Sequence, residues 1–262
     1  MPNKKRKKKN KRSIRNSLFW MLLLLILFSL AMLAIWQKMN KSVYFVYYKG
    51  FNIDIPENLS IHGIDISNHQ NSIKWAMVKA MQEKNVSINF IFIKATEGLS
   101  SIDLQFKKNW QEARSQGIVR GAYHFFIATK SGKAQAENFI KNVTLLPGDL
   151  PPAVDIEQLY GVSPKVMQRE LNAYLVRIEE HYKVRPIIYS YASFYDSYLG
   201  KDFDSYPLWV AHYLEEKKPK VHRHWDFWQH SENAHVYGIQ GNVDFNVFGG
   251  DSIAFRRLLI KE

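Results

Sequence analysis

The chain of 262 residues has no cysteine, which excludes a disulfide framework, a thiolate nucleophile and any thiolate metal site. It shows no internal repeat, and the only compositionally biased tract is a basic one at the N-terminus. Beyond that tract there is little excess of charge of either sign. Nine of the 36 basic residues (Lys4, Lys5, Arg6, Lys7, Lys8, Lys9, Lys11, Arg12 and Arg15) precede position 18, leaving 27 against 24 acidic residues. A domain that grips a polyanion needs a basic face of its own, so the formal charge of +12 does not point to nucleic acid. The length suits one large domain with a substantial core, and α/β barrels of this size commonly form one.

One long hydrophobic run is present. From Leu18 to Trp36 only Ser29 is polar, and a helix of nineteen residues covers roughly 28 Å, about the hydrocarbon thickness of a bilayer. A cleaved signal peptide is the alternative. Ala31 and Ala34 have small-x-small spacing but lie inside a run that continues through Ile35 and Trp36, which favours an uncleaved anchor over the shorter apolar core of a signal. The basic tail 1–17 is then expected on the cytoplasmic side and everything after Trp36 on the far side, a single-pass arrangement with a periplasmic or extracellular domain. Residues 37–60 read as a juxtamembrane stalk with Tyr44, Phe45, Tyr47 and Tyr48 as an interfacial aromatic belt. The alternative for Val43 to Tyr48 is a strand or flap packed on the domain.

From Ile61 onward, short β-rich runs alternate with helical patterns, the sequence form of repeated βα units. Strands are expected at Ile61 to Ile66, Ile88 to Lys94, Arg120 to Phe125, Pro152 to Glu157, Pro186 to Tyr191, Tyr206 to His212, Asp226 to His230 and Val243 to Phe248. Ile73, Met77, Ala80 and Met81 mark one helical face, and Phe106, Trp110 and Ala113 a second that Gly117 caps. Ser163 before Pro164 begins a third helix with an N-cap and a first-turn proline. Five strands carry helices and three have little helix between them. The expected fold is α/β, an irregular TIM-like (β/α)5(β)3 barrel over 61–262, preceded by one transmembrane helix.

In such barrels the active site lies at the C-terminal ends of the strands. Asp65 closes the first strand, Asp155 and Glu157 the fourth, and Asp244 lies in the last. If the barrel closes, its first and last strands are neighbours and can bring Asp65 and Asp244 together. In Asp155-Ile156-Glu157 the two acids are i and i+2 on a strand and share a face about 6.6 Å apart. Mutual repulsion raises one pKa, and a retained proton is what a general acid needs to protonate a glycosidic oxygen. An isolated D-x-E is also a common strand-end salt bridge or cap.

Eight segments in order remove that ambiguity. Gly63-Ile64-Asp65-Ile66-Ser67 with His69-Gln70 and Trp75, Phe92-Ile93-Lys94-Ala95-Thr96-Glu97-Gly98, Gly121-Ala122-Tyr123-His124-Phe125 and Val154-Asp155-Ile156-Glu157 come first. Pro186-Ile187-Ile188-Tyr189-Ser190, Leu208-Trp209-Val210-Ala211, Phe227-Trp228-Gln229-His230 and Val243-Asp244-Phe245-Asn246 follow. Together they resemble glycoside hydrolase family 25, the Chalaropsis-type lysozymes, over essentially the whole outer domain. The resemblance implies hydrolysis of the β-1,4 bond between N-acetylmuramic acid and N-acetylglucosamine in peptidoglycan. It makes Glu157 the general acid and Asp155 the group that orients the substrate's own N-acetyl group as it attacks the anomeric carbon. Asp65 and Asp244 fall on two supporting acids. A direct base or nucleophile at Asp65 or Asp155 is the competing mechanism.

Tyr123, Tyr189, Trp209, Gln229 and Lys94 lie in the same motifs, where rings can stack on sugars and polar tips can bind hydroxyls, although each also suits core packing. Glu97 either shapes the mouth or pairs with Lys94. His124 reads as a satisfied barrel histidine, and His222 and His224 as loop residues rather than metal ligands. The implied mechanism requires no cofactor, and the expected partners are peptidoglycan glycan strands and, through 18–36, a lipid bilayer, with the protein a monomer. Many family members carry wall-binding repeats, and this sequence shows an anchor instead. A wall-binding protein without turnover and a glycosidase for chitin are the rival readings.

Overall fold

The computed structural model describes residues 4–39, 44–213, 215 and 217–261, and the chain divides into two units between residues 42 and 43. Residues 1–3 of the expected tail and 40–43 of the expected stalk lie outside the described residues. In the first unit α1 (Lys4–Met39) is one continuous helix. Its segment Ile14–Leu33 is long and apolar enough to cross a membrane. Side chains such as Phe19, Leu24 and Phe28 are exposed along it, the pattern of a helix that is apolar all round.

The second unit begins with an antiparallel hairpin, β1 (Phe45–Tyr48) and β2 (Ile53–Pro56), turned through Asn52 at φ 56°. Tyr48, Phe51 and Ile55 are fully buried, and the Phe51 and Phe45 rings meet Phe245 and Trp228 at 5.3 and 5.7 Å. Residues 44–60 are therefore packed against the barrel rather than forming part of a free stalk. The apolar side chains that read as an interfacial belt divide between two environments, with Tyr48 buried and Tyr44 and Tyr47 exposed.

Eight strands then close a barrel: β3 (His62–Ile66), β4 (Val86–Glu97), β5 (Val119–Phe125), β6 (Ala153–Asp155), β7 (Ile187–Tyr191), β8 (Leu208–Ala211), β9 (Phe227–Ala234) and β10 (Val243–Phe248). β3 pairs in parallel with β4, and parallel pairing continues to β9. β10 runs antiparallel to both β9 and β3 and seals the cylinder. Because β10 is reversed, its N-terminal end lies beside the C-terminal ends of its neighbours.

Around the wall lie α2 (Trp75–Ala80), α3 (Phe106–Ser115), α4 (Gly132–Asn142) and α5 (Pro164–Tyr182), with short helical turns over 192–203. α5 starts as its sequence dictates: Ser163 Oγ accepts from the Val166 N–H at 3.4 Å, and Pro164 occupies the first turn. The helix stops on Lys183 in the left-handed conformation. Gly117 follows α3 at φ 64°, where glycine carries no steric cost. α4 is not legible in the apolar pattern; Ser131 caps it and Ala136 and Phe139 supply its buried face.

Two layers of core result. Outward side chains such as Ile91, Ile93, Val154 and Ile188 pack against the helices, while Phe90, Phe92, Trp209 and Phe227 fill the barrel. α6 (Ser252–Leu258) sets Phe255 against Phe90 and Phe248, at 5.7 and 5.2 Å, as a plug at the lower end. The interior is so full of rings that a Cβ at Gly63 would lie 2.5 Å from both the Phe90 ring and its carbonyl oxygen, which explains a strand glycine there.

His62 on β3 is completely buried near Phe245, and burial holds its imidazole down at about 4. A lowered folded pKa means that the unfolded chain binds the proton first. Stability from this residue is therefore intact above about pH 6.5 and is lost as pH falls toward 4. His62→Leu is expected to flatten the decline of unfolding free energy between pH 6.5 and 4, by up to about 3 kcal/mol at the acid end. Denaturant titrations across that range measure the slope, and an unchanged slope would refute the assignment.

Candidate active site

The polar ends of the strands converge at the end of the barrel opposite Phe255. The register sets Asp244 of β10 directly across from Asp65 of β3. Asp65 is buried, and its Oδ2 accepts from Gln229 Nε2 at 2.8 Å and Asn246 Nδ2 at 2.7 Å. The orientation of both amides is dictated from behind. Asn246 Oδ1 accepts from Trp209 Nε1 at 2.7 Å, and Gln229 Oε1 accepts from the hydroxyls of Tyr189 and Tyr213 at 2.8 and 2.5 Å. With their oxygens engaged, the amides can only donate toward Asp65.

Burial and the neighbouring Asp244 charge raise Asp65 well above the usual carboxylate range, against the two amide bonds. Asp244 is pushed up to about 6, chiefly by burial and further by Glu232. The hydrogen bond between the two acids couples them, so the pair holds a proton to higher pH than a free carboxylate does.

The D-x-E segment sits across the barrel. β6 is only three residues long and ends at Asp155, shorter than the expected strand, but the Ile156 N–H still donates to the Tyr189 carbonyl at 3.0 Å and carries the extended chain onward to Glu157. Asp155 is buried and its Oδ1 has no hydrogen-bond partner among the described residues. Burial, then the charges of Glu157 and Asp65, raise it, while Lys94 opposes. Glu157 is half-buried and also raised, by burial first and by Asp244. The neighbouring Tyr189 hydroxyl and the charge of Lys94 work the other way. The paired acids therefore combine a buried acceptor with an accessible carboxyl that holds its proton to higher pH than usual.

The other expected residues divide by position. Tyr123 and Tyr189 form the floor, their rings 6.2 and 4.5 Å from Trp209, and burial raises both hydroxyls well above 10. Trp209 and Gln229 are only 1% and 2% exposed. They lie beneath the acids, where they orient the amide network, rather than presenting open faces. Lys94 lies on the Phe125 ring and pairs with Glu97 at 2.6 Å, which settles how Glu97 is used. His124 is a satisfied core histidine: Thr96 Oγ1 and Gln135 Oε1 engage its two nitrogens and it stacks on Tyr174 at 5.1 Å. His222 bonds to Asp196, and His224 lies 3.8 Å from Asp226.

Three tyrosines and an asparagine were missed from the sequence. Tyr191 and Tyr160 are partly exposed aromatics whose hydroxyls feel the charges of Asp155 and Glu157, and Tyr213 and Asn246 complete the network. Tyr191 had a signal, since it stands two residues after Tyr189 on one strand and so shares its face. Tyr160 reaches the rim through a loop at φ 51°, beside Gly161, which no periodicity announces.

Known proteins resemble this chain in sequence and in fold. Lysozyme M1 of Streptomyces globisporus is 36% identical over 208 residues, 73% of this chain and 69% of that protein. The uncharacterized protein YegX of Escherichia coli K12 is 42% identical over 202 residues, 77% of this chain and 74% of its own. The crystal structure of the Streptomyces coelicolor lysozyme superposes with a TM-score of 0.69 at 33% identity, covering 77% of this chain and 98% of that one. The profile of glycosyl hydrolases family 25 matches residues 64–239, a span that holds Asp65, Asp155 and Glu157 and stops before Asp244. With two thirds of its length inside that profile and its acids gathered at one end of the barrel, the chain belongs to glycosyl hydrolase family 25.

Proposed function

We infer that the protein is a muramidase, hydrolysing the β-1,4 bond between N-acetylmuramic acid and N-acetylglucosamine in peptidoglycan. The observation that carries the mechanism is the pairing of a half-buried Glu157, raised in pKa, with a buried Asp155 whose Oδ1 has no hydrogen-bond partner among the described residues. An unpaired buried acceptor costs free energy until a donor meets it, and the N–H of a substrate's 2-acetamido group is a donor of the right kind.

Glu157 transfers its proton to the glycosidic oxygen as the bond from that oxygen to the anomeric carbon breaks. The acetamido carbonyl oxygen attacks the same carbon from the opposite face, and Asp155 holds the N–H and stabilises the positive charge that develops. Glu157, now a carboxylate, takes a proton from water as the water opens the cyclic intermediate, so the anomeric configuration is retained. Asp65 and Asp244 form a hydrogen-bonded pair beside the site, and the charge of Asp244 helps to raise Glu157.

The N-terminal helix acts in this reading as an uncleaved anchor, with the basic tail cytoplasmic and the barrel outside. Tethering confines cutting to the wall face nearest the membrane and raises local concentration there, which suits remodelling of the producer's own wall. Digestion of peptidoglycan by the full chain in detergent, followed by reduction and mass spectrometry of the released ends, tests the activity. Reduced muramic acid ends are expected. Cleavage of chitin in preference to peptidoglycan, or binding without cleavage of either, would overturn the reading.

A further inference from the structure

We propose that the groove between the N-terminal hairpin and β9 is a second binding site, for a stretch of peptidoglycan glycan outside the catalytic cleft. The proposal rests on the muramidase reading for the identity of the polymer. The hairpin precedes the part of the chain that the family profile covers, so the groove is lined in part from outside that profile. Its volume of about 670 Å³ is that of a ligand site.

The lining has the chemistry of a saccharide site. Tyr47 and Tyr44 present half-exposed rings, and both are held in place. The Tyr47 hydroxyl donates to Asn52 Oδ1 at 2.8 Å, and the Tyr44 hydroxyl is hydrogen-bonded to Glu57. Rings fixed in advance lose little entropy when the apolar face of a sugar stacks on them. Asn52, Asp54 and Asn233 supply short polar side chains around the rings, able to donate to or accept from hydroxyl and acetamido groups. The charged groups of the lining, Asp54 and Glu215 against Lys217, carry no strong excess of one sign, unlike a surface built for a polyanion.

His230 lines the groove at 6% exposure, and its Nε2 has no hydrogen-bond partner among the described residues. Burial keeps the imidazole neutral, with its pKa lowered to about 3. Its Nε2 is itself shielded from solvent, so the ring serves the groove as a neutral wall beside Phe45, 5.9 Å away.

One strand, β9, contributes residues both to the groove and to the acid network. β9 carries Gln229 in the acid network and Asn233 in the groove, a separation of roughly 13 Å at strand spacing. Between them Glu232 is near enough to Asp244 and Tyr191 to raise both. A long glycan can engage both places, whereas a short oligosaccharide held in the cleft reaches only one.

The test uses the full chain in detergent micelles, with Tyr47→Ala and Asn233→Ala combined. In a Glu157→Gln background, binding of a peptide-free octasaccharide of alternating N-acetylglucosamine and N-acetylmuramic acid is expected to weaken about tenfold, the order of one lost ring contact plus one hydrogen bond. Tetrasaccharide binding should not change. With Glu157 intact, the double variant should raise KM on long strands, leave kcat in place and turn over the tetrasaccharide normally, which also shows that it is folded. Octasaccharide binding unaffected by the substitutions overturns the proposal, as does a loss confined to free stem peptide or to anionic phospholipid vesicles. Failure of the unsubstituted protein to cleave any of the oligosaccharides would instead sink the muramidase reading, and the binding assay would still report on the groove.

Discussion

Glu157→Gln is expected to lower kcat on peptidoglycan by about 10²–10⁴-fold, the usual contribution of a positioned general acid, with little change in KM or Tm. The substituted amide would keep the shape of the side chain and its place beside Tyr189 but has no acidic proton to give. The effect should depend on pH in a definite sense. Burial raises the Glu157 carboxyl, so the unsubstituted enzyme is active while that proton is retained and loses kcat as pH rises through the raised value. The variant's residual rate should lack this limb. Counting reducing ends released from purified peptidoglycan across pH supplies both results, and turnover at the unsubstituted rate would remove Glu157 from the mechanism.

Asp155→Asn is expected to move activity and stability in opposite directions. Activity should fall by about 10²-fold or more, because an amide offers a weaker acceptor to the acetamido N–H and no charge to stabilise the intermediate. Stability at pH 7 should rise. The Asp155 pKa is raised on folding, by burial and then by Glu157 and Asp65, so the folded state pays for the ionised form wherever pH exceeds the unfolded value. Removing that charge should stabilise by about 1–2 kcal/mol, or a few degrees in Tm for a domain of this size. As pH falls and Asp155 is protonated in both states, the gain should shrink toward zero. Melting curves at pH 7 and pH 4 decide it; a lower Tm at pH 7 would mean that the carboxylate has a stabilising partner. Such a trade is expected where a site is held in a destabilised state for function.

Several features follow from local pattern alone. The strand runs are recognisable because their Val, Ile and Phe clusters end in polar residues. Ser163 and Pro164 announce α5 because capping and first-turn geometry involve neighbours in sequence. Asp155 and Glu157 stand two residues apart and so feel each other's charge, although β6 itself ends at Asp155.

Other features are non-local. Nothing near position 45 distinguishes a strand that packs against Trp228 from an aromatic belt, since the partners are nearly two hundred residues away, and the hairpin became evident only in the folded barrel. Trp209 and Gln229 look like open contact residues until burial places them under the acids.

By itself the sequence determined an apolar segment long enough to span a bilayer, a βα rhythm, a spacing that pairs two acids and the motif order of a glycosidase family. Tertiary structure alone decided the reversal of β10, the register that sets Asp244 directly opposite Asp65, and the amide network that joins Asp65 to Asn246 across 181 residues. The difference has one physical cause. Periodicity and capping are energies of adjacent residues, whereas register, burial and pKa depend on which distant strands meet when the barrel closes.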